Sequence, residues 1–206
     1  MLLSILICSI PKRKENLHLI IDELCKQAKE NGYKLNEDIE ISVKNEDEKL
    51  WGKTNTLNVG QKRNILLQGS LGDFVCFIDD DDWISPNYLK LIIEAIKNNP
   101  KIDCIGFIQN YLVDGKEQIG GDKVCISLKY ENWDLNKDGF IAVRTPHHLT
   151  PIKRQICIDA GGYKDLDKGE DFEFSSRVKP FLKKEYFIDK VMYFYLKKTV
   201  NEHGKF

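Results

Sequence analysis

Four consecutive carboxylates, Asp79-Asp80-Asp81-Asp82, follow directly on the apolar run Phe74-Val75-Cys76-Phe77-Ile78. Like charges a few ångströms apart repel, so a cluster of this kind calls for a cation. Hard carboxylate oxygens suit Mg²⁺ or Mn²⁺, with Asp79 and Asp81 as candidate ligands. A turn is expected at the cluster, because Trp83-Ile84-Ser85-Pro86 leads straight towards a helix. The competing reading is a solvated acidic loop capping that helix. A second acidic pair, Glu170-Asp171, follows Gly169 in what reads as a first helical turn, where backbone amides favour the ionised form. Basic side chains stand ready for an anionic ligand at Arg13, within Lys12-Arg13-Lys14, and at Lys62 and Arg63. Of the histidines, His18 falls on a helix, His147 and His148 follow Thr145-Pro146, and His203 lies near the end of the sequence.

The elements that must hold these groups follow from the apolar pattern. Residues 2–10 are a continuous apolar run of strand length that halts at Pro11. Leu17, Ile20, Ile21, Leu24 and Ala28 recur at helical spacing before Asn31-Gly32. Residues 38–43 alternate with period two as a strand, and the polar stretch 44–58 reads as a loop. A short helix is expected over 59–68 and a strand over 73–78. Another helix starts at Ser85-Pro86, with the serine as N-cap. This alternation of strands and helices predicts an α/β domain with a largely parallel sheet and helices on both faces. Loops at the carboxyl ends of such strands are where open α/β sheets take their ligands. Further on, 104–108, 124–128 and 140–144 read as strands, 152–160 and 172–178 as helices, and 186–189 and 191–196 as closing strands.

A chain of 206 residues with 42% apolar and 10% aromatic residues can bury a full core, and one domain spanning 1–206 is the simplest organisation. The net charge of −1 gives no field that would recruit nucleic acid. The N-terminal apolar run lacks a preceding basic region, and no stretch approaches the ~20 apolar residues of a membrane span, so a cytoplasmic protein is expected. Six scattered cysteines with no CxxC pair read as buried free thiols.

Three segments, in order, carry a family resemblance: residues 2–13 (LLSILICSIPKR), 59–89 (VGQKRNILLQGSLGDFVCFIDDDDWISPNYL) and 161–178 (GGYKDLDKGEDFEFSSRV). Together they resemble family 2 glycosyltransferases, inverting enzymes of the GT-A fold. The run 146–156 (PHHLTPIKRQI) and the compact length are similar to short virus-type members.

The resemblance implies a three-layer α/β/α sandwich. Its nucleotide-binding half would cover about 1–110 and its acceptor-binding half about 111–206. Asp79 and Asp81 match the Asp-x-Asp metal positions, and Asp80 would face the donor. Ser9, Pro11 and Arg13 match the first nucleotide-binding turn, and Lys62, Arg63 and Asn64 the helix that contacts the nucleotide. Asp171, preceded by Glu170, matches the catalytic base, and His203 offers a third metal ligand. His147 and His148 are candidates to line the acceptor pocket or to complete the metal shell, and Trp83 is a further candidate for the acceptor side.

Where the family grips the nucleobase with an acidic residue, this chain has Val43-Lys44-Asn45-Glu46-Asp47, with Asn45 as the candidate contact. The implied reaction moves a sugar from a nucleotide-diphosphate donor, UDP favoured and GDP or dTDP the alternatives, to a hydroxyl acceptor such as a glycan. The competing classes are a degenerate nucleotide-sugar-binding domain and a nucleotidyltransferase. The latter usually has a glycine-rich loop after the first strand, and Ser9-Ile10-Pro11-Lys12-Arg13 contains no glycine. A haloacid-dehalogenase-type phosphatase would want its aspartates near the start of the chain.

Overall fold

The N-terminal apolar run forms β1 (Leu3–Ser9), and the chain then tightens into a 3₁₀ turn, Pro11–Arg13, closed by the Arg13 amide on the Ile10 carbonyl. The computed structural model describes residues 1–45, 57–114, 116–117, 122–166 and 168–197. After the turn come α1 (Lys14–Glu30), β2 (Ile39–Asn45), α2 (Val59–Gly69), β3 (Phe74–Phe77), the two-residue β4 (Trp83–Ile84) and α3 (Tyr88–Asn98). The second part continues with β5 (Cys104–Val113), β6 (Lys116–Glu117), β7 (Lys123–Ile126), β8 (Asp134–Lys137), β9 (Phe140–Arg144) and β10 (Ile152–Lys153). Helices α4 (Arg154–Asp159) and α5 (Glu170–Val178) precede the long strand β11 (Glu185–Lys197).

These strands make one sheet with the order β2-β1-β3-β10-β5-β7-β9-β8, while β11 runs parallel along β5. The β2-β1-β3 ladder is parallel, so the carboxyl ends of β1, β2 and β3 open on the same edge. Alternation of side chains divides the apolar residues between two faces. Leu3, Ile5 and Ile7 of β1 join Phe74 and Cys76 of β3 in a core covered by α1 and α3. Leu6, Val75 and Phe77 point the other way, into a core built with Leu66, Leu67, Cys157, Phe174 and Val178 from α2, α4 and α5. Helices therefore cover both faces of the sheet, as the pattern predicted. Side chains as buried as Ile20 and Leu24 contribute roughly 1.5–3 kcal/mol each by burial. All six cysteines are free, and Cys76, Cys104, Cys125 and Cys157 are buried.

Several elements differ from the sequence expectation, among them the short strands β4 and β6, where none was expected. Helix α3 starts at Tyr88 with Asn87 as N-cap, not at Ser85-Pro86, because the Ser85 amide is bonded to Met192 of β11. The capping work is done by the buried Gln27 of α1, which donates to the Ser85 carbonyl and accepts from the Leu89 amide at 3.1 Å. The expected helix 152–160 begins with two residues in strand form, as Ile152 bridges β3 and β5. The two closing strands are one strand, with register shifts between Ile188 and Tyr193. Polar β8 escaped the apolar pattern, since Asp134-Leu135-Asn136-Lys137 offers a single apolar residue.

Candidate active site

The Asp79-Asp80-Asp81-Asp82 run leaves the carboxyl end of β3 as a turn, closed by the Asp82 amide on the Asp79 carbonyl at 3.2 Å. One turn therefore aims four carboxylates at four different surroundings. Asp80 is buried and accepts from Ser9 Oγ at 2.6 Å and from Arg13 Nη1 at 2.9 Å. Asp81 pairs with Arg13 Nη2 at 3.1 Å and keeps 41% of its side chain exposed. Burial raises the Asp81 pKa, Arg13 opposes this, and Asp79 and Asp80 add to the rise. Asp82 points inward, accepting from the Tyr193 hydroxyl at 2.8 Å and the Leu196 amide at 2.9 Å. Burial and the neighbouring Asp79 push it up to about 7.

Asp79 faces the other way, towards Arg63 Nη2 and His148 Nε2, each at 3.3 Å. Burial would raise its pKa, but His148 and then Arg63 outweigh that and hold the carboxyl well below the usual range. Arg63, with 4% of its side chain exposed, also donates from Nη1 to Glu170 Oε1 at 2.6 Å and lies over the rings of Phe77 and Tyr163. It thus links the turn after β3 to the start of α5. Desolvating three ionised groups is costly, and the short charge-assisted bonds and ring faces offset that cost.

Helix α5 begins after Gly169, whose φ of +74° is the left-handed conformation glycine adopts without strain. Its first turn carries Glu170, Asp171 and Glu173, where the helix dipole favours negative charge. Asp171 accepts from Arg144 Nη2 at 3.0 Å and stands 3.9 Å from His148 Nδ1. Burial raises the Asp171 pKa, yet His148 and Arg144 outweigh it, and the net shift is downward. Arg144, at the end of β9, lies over the Trp133 ring with 5.0 Å to the centroid. His147 and His148 are buried beside them, and burial lowers the pKa of both imidazoles. The backbone that carries them is pinned by the His148 carbonyl, which accepts from the Phe77 amide at 2.8 Å, and by Ser175 Oγ on the Pro146 carbonyl.

The residues singled out in the sequence are distributed as follows. Ser9, Arg13 and Asp80 form one bonded group, with Pro11 on the exposed turn between them. Asn45 stands beside Ser9 in the strand register, on the same sheet edge. Lys62 is buried, and its Nζ donates to the Ser9 carbonyl. Asn64 is turned away from the aspartates: its amide accepts from the Tyr163 amide at 2.7 Å and donates to the Tyr163 carbonyl. Trp83 lies in β4, paired with Phe194 and packed on the larger core. His203, Glu46 and Asp47 lie outside the described residues.

Of the central residues, Arg144 was given no role from the sequence, and Arg63 was named only as a basic group on the helix that contacts the nucleotide. Arg144 ends an ordinary strand and carries no motif. Arg63 sits inside the quoted Lys-Arg-Asn helix but shows its importance only by what it joins.

A mainly parallel sheet covered by helices on both sides, with an aspartate turn at the carboxyl edge and an acidic helix start facing it, is the layout of the GT-A fold. The family model described as Glycosyl transferase family 2 matches residues 14–159, and the chain belongs to that family. Solved structures of S. aureus TarS share the fold. One is 16% identical with a TM-score of 0.66 and covers 95% of this chain and 37% of its own. TarS 1-349 in complex with UDP-GlcNAc is 16% identical, with a TM-score of 0.64 over 98% of this chain and 60% of that one. The UDP complex gives a TM-score of 0.64 at 16% identity and covers 95% and 60%. The chain therefore spans between 37% and 60% of the length of these structures. No curated protein matches it. No helix among the described residues is long and apolar enough to cross a membrane.

Proposed function

We propose that residues 1–206 act as one GT-A unit that transfers a sugar from a nucleotide-diphosphate donor to a hydroxyl acceptor with inversion. The observation that carries this reading is the opposition of the 79–82 turn and Asp171 across Arg63 and His148. A site of this kind has an anchor for a charged leaving group on one side and a proton acceptor on the other. Tyr193 and Leu196 of β11 brace Asp82 from the second part. Ser9, Arg13, Lys62 and Arg63 on the donor side of the turn precede residue 110, and Arg144, His148 and Asp171 follow it. This supports a donor half of about 1–110 and an acceptor half of about 111–206.

The turn fits a hard divalent ion. Its carboxylates outnumber the guanidiniums paired with them, and Asp81 is half-exposed in a field that disfavours its ionised form. Mg²⁺ or Mn²⁺ would be held at Asp81, with Asp79 on the same turn, and would offset the charge of the leaving diphosphate. Arg13 and Lys62 line the donor edge, where a guanidinium or ammonium binds phosphate oxygens. Asp171 takes the proton of the acceptor hydroxyl as its oxygen bonds to the sugar carbon and the carbon–phosphate-oxygen bond breaks. Arg144 and His148 keep that carboxylate ionised and aimed. The cost is a weaker base, which takes the proton late, when the hydroxyl oxygen has already lost electron density. UDP is the favoured nucleotide because UDP and UDP-GlcNAc occupy the S. aureus TarS structures that share this fold.

Binding and transfer are tested separately. A panel of UDP-, GDP- and dTDP-sugars is titrated with Mn²⁺, with Mg²⁺ and with EDTA, followed by thermal shift and release of free nucleoside diphosphate. Asp171→Asn should retain donor affinity while kcat falls about 10²–10⁴-fold. Asp81→Ala should weaken metal-dependent donor binding. Unchanged turnover in Asp171→Asn removes the base assignment, and release of pyrophosphate instead would mark a nucleotidyltransferase.

A further inference from the structure

His147, His148 and Asp171 form a second group of ligand-bearing side chains, apart from the 79–82 turn. Their nearest ligand atoms all lie within 4.8 Å of one another. The two Nδ1 atoms face each other at 3.2 Å. With zinc–nitrogen bonds of roughly 2.0–2.1 Å, a tetrahedral site has an N···N edge of about 3.3 Å. The ring pair thus already stands near that spacing. Asp171 Oδ2, bonded to Arg144 and 3.9 Å from His148 Nδ1, would complete a face of the tetrahedron by moving inward from that guanidinium.

Hydrogen placement points the same way. The Leu149 amide donates to His147 Nδ1 across a long 3.3 Å, so that nitrogen carries a lone pair and not a proton, and a metal bond would take the lone pair over from this weak contact. His148 Nε2 stands 3.3 Å from an Asp79 carboxylate oxygen, which accepts from a ring N–H placed there. Filling the contact between the two Nδ1 atoms with a hydrogen bond therefore requires a second ring proton on His148. That would make a buried cation of it, close to Arg63. An ion between the two Nδ1 atoms removes the conflict. His148 then binds it through a bare Nδ1 and donates Nε2–H to Asp79, the carboxylate–histidine–metal relay common at transition-metal sites. Charge permits the ion, since Asp79, Glu170 and Asp171 outnumber Arg63 and Arg144. Asp171, with 26% of its side chain exposed, is the open side.

We propose that His147, His148 and Asp171 bind a borderline transition ion of the Zn²⁺ type at a site distinct from the aspartate turn, leaving one coordination position open. Imidazole nitrogens favour zinc or cobalt over Mg²⁺. On the function proposed above, an ion here ties up the Asp171 lone pair, so Zn²⁺ suppresses transfer that Mg²⁺ supports.

The probe is Co²⁺, added to the EDTA-treated 206-residue protein and followed through its visible d–d bands. One equivalent should give the intense bands of a four-coordinate nitrogen and oxygen site, which Zn²⁺ then bleaches. His147→Gln should lower cobalt affinity about 100-fold or more, and Asp79→Asn about 10–100-fold through the lost relay. Asp81→Ala should leave the spectrum in place. Weak octahedral bands that survive His147→Gln and vanish in Asp81→Ala would overturn the site. Zinc suppression of transfer should be lost in His147→Gln, and suppression that persists there overturns the regulatory role. Because the spectrum needs no turnover, a protein with the bands but no transfer counts against the proposed function and for the metal site. Should His147→Gln fail to fold, the cobalt spectrum of wild type against Asp81→Ala still decides.

Discussion

One side of the site is delivered by a single turn, where four neighbouring aspartates leave β3 together. The other side is gathered from Arg144 at the end of β9, His148 in the segment before β10, and Asp171 at the start of α5. The first is locally encoded and anchored mainly by β1, through Ser9 and by Arg13 just beyond it, and by Tyr193 and Leu196 of β11. The second exists only when distant segments dock. Arg63 belongs to neither, and it joins both. A change in the turn should therefore act on ligand binding with little structural consequence. A change at the junction should act on folding first.

The largest test of that contrast is Arg63→Met. It removes the partner of Glu170 and of Asp79 while keeping the apolar stem between Phe77 and Tyr163. Stranding a buried carboxylate typically costs about 3–5 kcal/mol, so denaturant unfolding should show a loss of that size. Adding Glu170→Gln should restore part of it, because the double variant no longer buries an unpaired charge. A loss below ~1 kcal/mol in the single variant would mean that the two sides are held together by something other than this guanidinium.

A smaller effect is expected at Asn64, which the family resemblance places among the nucleotide contacts and the structure turns towards the Tyr163 backbone. Truncation by Asn64→Ala leaves both the amide and the carbonyl of Tyr163 without this partner and should cost about 1–3 kcal/mol. Donor affinity should stay at the wild-type value in a calorimetric titration. The opposite outcome, intact stability with weakened donor binding, would return Asn64 to the donor side.

The contrast also explains what could be read from the residues alone. The parallel first part was legible because buried strands such as Phe74–Phe77 are continuously apolar and their helices carry clean stripes. The aspartate turn was legible because its members are adjacent. Helix starts were less so: Ser85-Pro86 has every local mark of an N-terminus, but β11 claims the Ser85 amide and a glutamine from α1 supplies the cap. The need for glycine at position 60 was equally hidden. A Cβ there would meet the Lys164 carbonyl oxygen at 1.9 Å, a contact made by a segment a hundred residues away. Arg144 had no marker, since a strand-end arginine gains meaning only from its neighbours in space, whereas His147 could be noticed beside His148 but not placed. The quoted Glu-Asp pair could be noticed, but not the guanidinium and imidazole that hold Asp171 below its ordinary pKa.

The smallest test concerns pH and separates two aspartates of the same turn. Asp82, pushed up to about 7 from an ordinary value near 3.8, keeps a proton in the folded protein over a range where the unfolded chain has lost it. Its contribution to stability is therefore fully present below pH ~4 and disappears as pH rises through ~7. Asp79 runs the other way: its depressed pKa contributes above the unfolded value and is lost on acidification. With EDTA present to keep the turn metal-free, the Tm advantage of wild type over Asp82→Asn should shrink between pH 5 and pH 8, because the amide carries no titrating proton. A pH-independent difference would mean that Asp82 is ionised throughout, so that the bonds from Leu196 and Tyr193 outweigh its burial. In that case β11 holds the turn through a full charge, and the locally encoded side depends on the end of the chain as closely as the assembled side depends on Arg63.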